Sequence, residues 1–122
     1  KKYTLENCKR LHMQMSHSDL ERGDPGEFRN YNHSSPSGIR YCEPVNIFSK
    51  LRKLEDCNDP ILRHALFEWV HPFFDGNGRV GRIILCCDME FDFDAVCQII
   101  DDNYIKNLDY FYHNHDIESY FL

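Results

Sequence analysis

The stretch His71-Pro72-Phe73-Phe74-Asp75-Gly76-Asn77-Gly78-Arg79-Val80-Gly81-Arg82 constrains the fold of this chain more than any other. A residue before proline is disfavoured in the helical region, so a helix arriving from the N-terminal side stops close to Val70. Asp59-Pro60 makes a good N-cap and first-turn pair for that helix, and Leu62, Ala65, Leu66 and Trp69 give it an apolar stripe. Downstream, Gly76, Asn77 and Gly78 read as a turn. Val80, Ile83, Ile84 and Cys87 then mark the apolar side of a second helix, starting near Asn77 or Gly78. The prediction is two helices joined by a short polar loop.

Asp-Gly-Asn-Gly alone is an ordinary turn sequence. Its neighbours give it chemical meaning. His71 has the intrinsic pKa of a general base at neutral pH. Asp75 suits Mg²⁺, which usually takes one or two protein carboxylates plus phosphate oxygens. Backbone N–H groups of Gly76–Gly78, together with Asn77, can converge on an anion where the following helix begins. Arg79 and Arg82 share one helix face and suit phosphate oxygens. The set fits attack on the phosphorus of a metal-bound polyphosphate. It is not a Walker P-loop, because the Gly-Lys-Ser/Thr ending is missing.

The run closely resembles the Fic family signature, His-x-Phe-x-Asp/Glu-Gly-Asn-Gly-Arg-x-x-Arg. It matches at every fixed position: His71, Phe73, Asp75, Gly76, Asn77, Gly78, Arg79 and Arg82. Residues 64–70 resemble the helix leading into the Fic loop, and Gly26-Glu-Phe-Arg29 resembles the start of the family's flap. The resemblance implies a mainly α fold, a Fic-type helical bundle with a helix–loop–helix active site. It also implies a small β-hairpin flap over about residues 27–42, all in one domain spanning 1–122. The implied activity is that of a protein adenylyltransferase. AMP passes from ATP to a Ser, Thr or Tyr hydroxyl of a protein substrate, pyrophosphate leaves, and Mg²⁺ or Mn²⁺ assists.

By the same resemblance His71 is the general base and Asp75 the metal ligand. Gly76, Asn77 and Gly78 form the anion hole, Arg79 and Arg82 hold the β- and γ-phosphates, and Phe73 plugs the core. Phe28, Arg29, Asn30 and Tyr31 are the flap residues expected to bind the target by strand addition. Related enzymes transfer UMP, phosphocholine or phosphate. The phosphate-transferring branch resembles this motif with Lys at the position of Gly78, so the glycine favours nucleotide transfer. A non-catalytic module that binds nucleotide or a partner is the rival class, and the intact His71 argues against it. Fic proteins are often restrained by a helix carrying Ser/Thr-x-x-x-Glu-Gly/Asn. Residues 1–122 contain no such segment, so an inhibitory segment upstream, an inhibitory partner or a different control is expected.

The remaining sequence narrows the setting. The chain begins with Lys and is expected to be a piece of a longer protein. With 122 residues it can bury one modest core. No apolar run reaches the length of a membrane span and no signal peptide is visible. The expected location is the cytoplasm, or a host cytosol after translocation. Residues 1–87 carry net charge +2 and residues 88–122 carry −8, which disfavours a nucleic-acid partner. The six cysteines lack the spacing of a disulfide scaffold and read as small buried hydrophobes. The pairs Cys8/His12 and His113/His115 read as incidental, and His64 as structural.

Further helices are predicted from Thr4 to about Ser16, after Pro44, after Asp92, and in part over 103–122. Residues 27–33 and 38–42 read as the two strands of a loose hairpin. The acidic aromatic tail has no family counterpart.

Overall fold

The computed structural model describes residues 3–15 and 17–122. Six α-helices follow in order among these residues: α1 (Leu5–Met13), α2 (Ile47–Lys53), α3 (Pro60–Val70), α4 (Asn77–Asp88), α5 (Phe93–Ile99) and α6 (Tyr104–Asn114). None is long and apolar enough to cross a membrane. The caps expected from sequence set several boundaries. Thr4 accepts from the Asn7 N–H at 3.0 Å, and Asp59 from Ile61 and Leu62 at 3.0 and 3.3 Å. Asp92 accepts from Ala95 at 3.1 Å. Pro44 opens a 3₁₀ turn, Pro44–Asn46, that leads into α2. The α1 helix ends at Met13; its predicted end at Ser16 lies outside the described residues.

The central helix is α3. It packs chiefly on α4 and also on α2, while α1 reaches both α2 and α4. The core collects Tyr3, Leu5 and Cys8 with Ile47, Leu51 and Leu54, and with Leu66, Phe67, Trp69, Val70, Phe73, Val80 and Ile84. Burying each large side chain contributes roughly 1.5–3 kcal/mol. The tail joins this core. Ile117 and Phe121, in a 3₁₀ segment Ile117–Phe121, are buried, with the Phe121 ring 5.8 Å from Trp69. Lys53 donates to the Phe121 carbonyl at 2.5 Å. The tail is therefore a clasp across α2 and α3.

Three apolar faces differ from the sequence reading. In α4 the buried positions are Asn77, Val80, Gly81, Ile84 and Leu85, while Ile83 is 44% exposed. The cause is Gly81. Without a Cβ it lets α3 approach, and the buried stripe turns toward it. In α2, where Ile47, Phe48, Leu51 and Leu54 read as the apolar face, Phe48 is exposed; in α5, where Phe93, Val96, Cys97 and Ile100 do, Phe93 and Cys97 are exposed and only Val96 is buried. The six cysteines are all free.

The two-stranded flap is not formed among the described residues. The segment holds one isolated bridge, Ser34 with Arg40, flanked by Ser35 N–H to Ile39 carbonyl (2.8 Å) and Tyr41 N–H to His33 carbonyl (3.0 Å). Residues 27–33 pair elsewhere. Phe28 bridges antiparallel to Phe73, and the Arg29 N–H donates to the Pro72 carbonyl at 2.8 Å. The motif loop thus competes successfully for the strand that sequence assigned to a hairpin. The Ser35 hydroxyl accepts from the Ile39 N–H at 3.0 Å and holds the remaining turn tight.

Candidate active site

The loop between α3 and α4 is pinned from three sides. At His71 the chain turns left-handed, with φ 50° and ψ 58°. For a residue with a Cβ this costs on the order of 1–3 kcal/mol unless its surroundings hold it. Arg29 supplies the hold. Its guanidinium is buried and donates to the carbonyls of His71 (2.5 Å), Val70 (2.9 Å), Tyr31 (2.8 Å) and Cys42. Two of these acceptors are end groups of α3 that the helix itself leaves unpaired.

From the second side, Asn77 closes a reciprocal pair with Phe73. Its Oδ1 accepts from the Phe73 N–H at 2.8 Å and its Nδ2 donates to the Phe73 carbonyl at 2.9 Å. From the third side comes His12. Its Nδ1 accepts from the Gly26 N–H at 2.7 Å, so its Nε2 carries the proton and donates to the Asp75 carbonyl at 2.8 Å. The His12 ring also stacks on Phe73, centroids 3.8 Å apart and planes 2° apart. His12 is thus committed to the loop through both nitrogens.

His71 stands beside two aromatic rings. Tyr41 stacks on it at 4.1 Å with planes 5° apart, and His33 lies 5.1 Å away. Burial, then the nearby His33 and Arg29, lower the His71 pKa to about 4; a hydrogen bond to the Glu68 backbone carbonyl opposes them. At neutral pH the ring is therefore uncharged. The nitrogen that donates to Glu68 keeps the proton, and the other is left with a lone pair.

The other wall of the site is the start of α4. Gly76 precedes it with φ 86°, a conformation open to glycine, and no side chain caps the helix. The first N–H groups of α4 have no intrahelical partner and carry the positive end of the helix dipole. Asp75 lies beside them. Its carboxylate accepts from the N–H groups of Gly76 and Glu21, both at 2.8 Å, and pairs with Arg79 at 3.6 Å. These three contacts leave acceptor capacity on a half-exposed carboxylate. The donor set is therefore right for a hard cation shared with phosphate oxygens. Among the described residues no three His, Cys, Asp or Glu side chains gather as an all-protein cage.

His71, Asp75, Gly76, Asn77, Gly78, Arg79 and Arg82 line one cavity of about 380 Å³, with His33 and Phe74. The structure thus brings the motif residues together. A second cavity, of about 460 Å³, shares His71, Gly78 and Arg82 with it and runs on toward α6. Its walls include Tyr41, Glu68, Tyr104, Leu108 and Tyr112, with Ser35–Ser37 at the rim. Two of its tyrosine hydroxyls are already bonded to α3: Tyr104 to His64 Nε2 at 2.6 Å, and Tyr112 to the Ala65 carbonyl at 2.7 Å. His64 is buried and its Nδ1 faces the Gly81 carbonyl at 3.2 Å, a structural role.

The four flap residues do not line either cavity. Arg29 is turned inward as described, so it is not an exposed target contact; four carbonyl acceptors outweigh its preference for water. Phe28 packs on Phe73 at 5.7 Å, and Tyr31 on Phe74 at 5.8 Å beneath Arg22. Asn30 is exposed. The Asn77 side chain is occupied by Phe73, while Asn77 still lines the cavity with Gly76 and Gly78. Sequence reasoning overlooked Glu68 and the α6 tyrosines. The available signal was a lone carboxylate inside the apolar run Leu66-Phe67-Glu68-Trp69-Val70.

Comparison with known proteins gives a consistent result. The profile of the Fic/DOC family matches residues 2–87 of this chain. A protein of Aquifex aeolicus (strain VF5), described as a probable protein adenylyltransferase, is 49% identical over 41 residues. That match covers 34% of this chain and 13% of the relative, so the chain spans a small part of that protein's length.

Proposed function

The chain belongs to the Fic/DOC family, and from that premise we propose that it is a protein adenylyltransferase. A Ser, Thr or Tyr hydroxyl of a target protein attacks the α-phosphorus of ATP. The new O–P bond forms as the bond to pyrophosphate breaks, and the hydroxyl proton passes to the unprotonated nitrogen of His71. One observation carries this reading: a neutral histidine faces the same cavity as an uncapped helix N-terminus and two arginines. A base beside an anion cradle serves transfer at phosphorus and has no use in a protein that only binds.

The N–H groups at Asn77 and Gly78 meet the charge that develops on the α-phosphate. Arg79 and Arg82 hold the leaving pyrophosphate. Mg²⁺ or Mn²⁺, held by Asp75 and phosphate oxygens, would supply charge neutralisation. The aromatic cavity beyond Gly78 receives the nucleoside. The exposed rim around Ser34–Arg40, held by a single bridge, is the edge on which a target segment adds as a strand.

The test is positional labelling of ATP. Label from the α-position entering protein supports AMP transfer. Label from the γ-position assigns phosphate transfer, and label from neither assigns another donor or a binder.

A further inference from the structure

His71 must present one nitrogen to a hydroxyl, and a misplacement of about 1 Å removes much of the advantage of a positioned group. What holds the ring therefore matters as much as the ring. Arg29 pins the backbone. The side chain donates to the Glu68 backbone carbonyl. One such bond fixes where that nitrogen points but leaves the ring free to tilt about it, and the torsion of an imidazole on its Cβ is broad. Tyr41 removes this freedom. Its ring lies 4.1 Å from the His71 ring with planes 5° apart. His33 stands further off and more tilted, at 5.1 Å and 20°.

The helix that ends at His71 also fixes Tyr41. Trp69, in the last turn of α3, donates from Nε1 to the Arg40 carbonyl at 3.0 Å and accepts from the Cys42 N–H at 3.3 Å. Both chain neighbours of Tyr41 are thus tied to α3, so its ring and the base move as one body. Core packing alone does not account for this placement, because Tyr41 is only half-buried and lines the second cavity beside His71. No hydrogen bond among the described residues holds its hydroxyl, so the contact belongs to the ring face.

We propose that Tyr41 is the positioning residue of the base: its ring sets the plane of His71 and stabilises the cation that His71 becomes. The proposal rests on the transferase reading and adds the residue through which the base is held. As the target oxygen bonds to the α-phosphorus and the bond to pyrophosphate breaks, the hydroxyl proton moves to His71. The new positive charge is opposed by Arg29 and His33 from the flap segment and by Arg79 and Arg82 across the cavity; Asp75 favours it. The face of Tyr41 meets it directly, and an aromatic face attracts a cation at this range.

The test compares the wild-type chain with Y41F and Y41L. Transfer is followed at saturating α-labelled ATP, as label entering the chain itself and a pool of peptides bearing Ser, Thr and Tyr hydroxyls. Calorimetry gives the affinity for ATP, and NMR the positions of the His71 ring protons. Leucine keeps an apolar wall but has no π face. Y41L is expected to transfer at least about tenfold more slowly with ATP affinity within about threefold of wild type, as loss of a stacked cation–π contact implies. Y41F is expected to stay within about twofold of the wild-type rate, since it keeps the ring face. The His71 ring protons are expected upfield in the wild-type chain and in Y41F, and to lose that shift in Y41L. Undiminished transfer by Y41L overturns the proposal. So does a loss confined to ATP affinity, which assigns Tyr41 to the nucleoside wall alone. Y41F as slow as Y41L assigns the hydroxyl and overturns it too. Wild-type His71 protons without the upfield shift overturn the stack itself. Absence of transfer by the wild-type chain overturns the transferase reading instead, and the positioning role with it. Should Y41L fail to fold, the wild-type spectrum and Y41F decide.

Discussion

Replacing Arg29 with methionine removes the strut beneath the active-site loop. The methionine keeps much of the apolar stem but none of the donors. In the native chain the guanidinium serves four backbone carbonyls: His71, Val70, Tyr31 and Cys42. A hydrogen bond involving a charged group contributes about 1.5–3 kcal/mol, and the four are not additive because they share one cation. Burial itself opposes the pairing, as the lowered pKa of Arg29 indicates. Removing one partner of a buried charged set costs roughly 3–5 kcal/mol, so a loss of about 4 kcal/mol is expected. Against a domain stability of about 5–15 kcal/mol this is a large fraction. Urea unfolding followed by far-UV circular dichroism measures it, with the midpoint falling at an unchanged slope. A loss below about 1 kcal/mol refutes the strut, and with it the explanation of why His71 tolerates a left-handed backbone.

Other outcomes follow from the same geometry. The His64 and His71 pKa values lie at about 4 in the folded chain against 6.5 for the free side chain. The unfolded state therefore binds protons first, and stability falls as pH drops from about 6.5 toward 4, by up to roughly 3 kcal/mol per histidine. An unfolding midpoint that stays flat across that window contradicts the buried neutral assignment. Glu68 has the opposite sign: its folded pKa is raised from 4.5 to about 8, so stability present below 4.5 is lost as pH rises through 8. E68Q should flatten this alkaline arm in the same titration. Asp75→Ala should lose most transfer, and excess chelator should do the same until Mg²⁺ or Mn²⁺ is restored; full turnover in chelator rules out the metal's part. Gly81→Ala should destabilise by at least about 1 kcal/mol despite the better helix propensity of alanine, because its Cβ meets Glu68. A stabilised variant argues against the close α3–α4 contact.

The helix–loop–helix was legible in the sequence because its signals are local. Asp59-Pro60, His71-Pro72 and Gly76 fix where backbone hydrogen bonding starts and stops, and those rules need no tertiary information. Helix faces were less legible. The stripe on α4 rotates because Gly81 admits α3, a choice made by the partner helix and invisible to periodicity alone. Arg29 shows the same limit more sharply. A charged residue in a polar stretch reads as exposed, and only the folded chain reveals a set of orphan carbonyls waiting at the end of α3. The hairpin failed to appear because the motif loop offers residues 28 and 29 a better pairing edge than residues 38–42 do. The tail combines a solvated acidic face with two core residues that its charge conceals. Its acidic residues face outward while Ile117 and Phe121 close the core, so deleting residues 114–122 tests stability before it tests regulation.

The central claim is that His71 is the base in a site that holds its nucleotide by other residues. Transfer of α-label from ATP and equilibrium affinity for ATP, measured side by side for the wild-type chain and His71→Ala, test it most directly. The account expects transfer to fall by at least about a hundredfold, the usual contribution of a positioned base, with affinity for ATP changed little. Wild-type transfer by His71→Ala contradicts it.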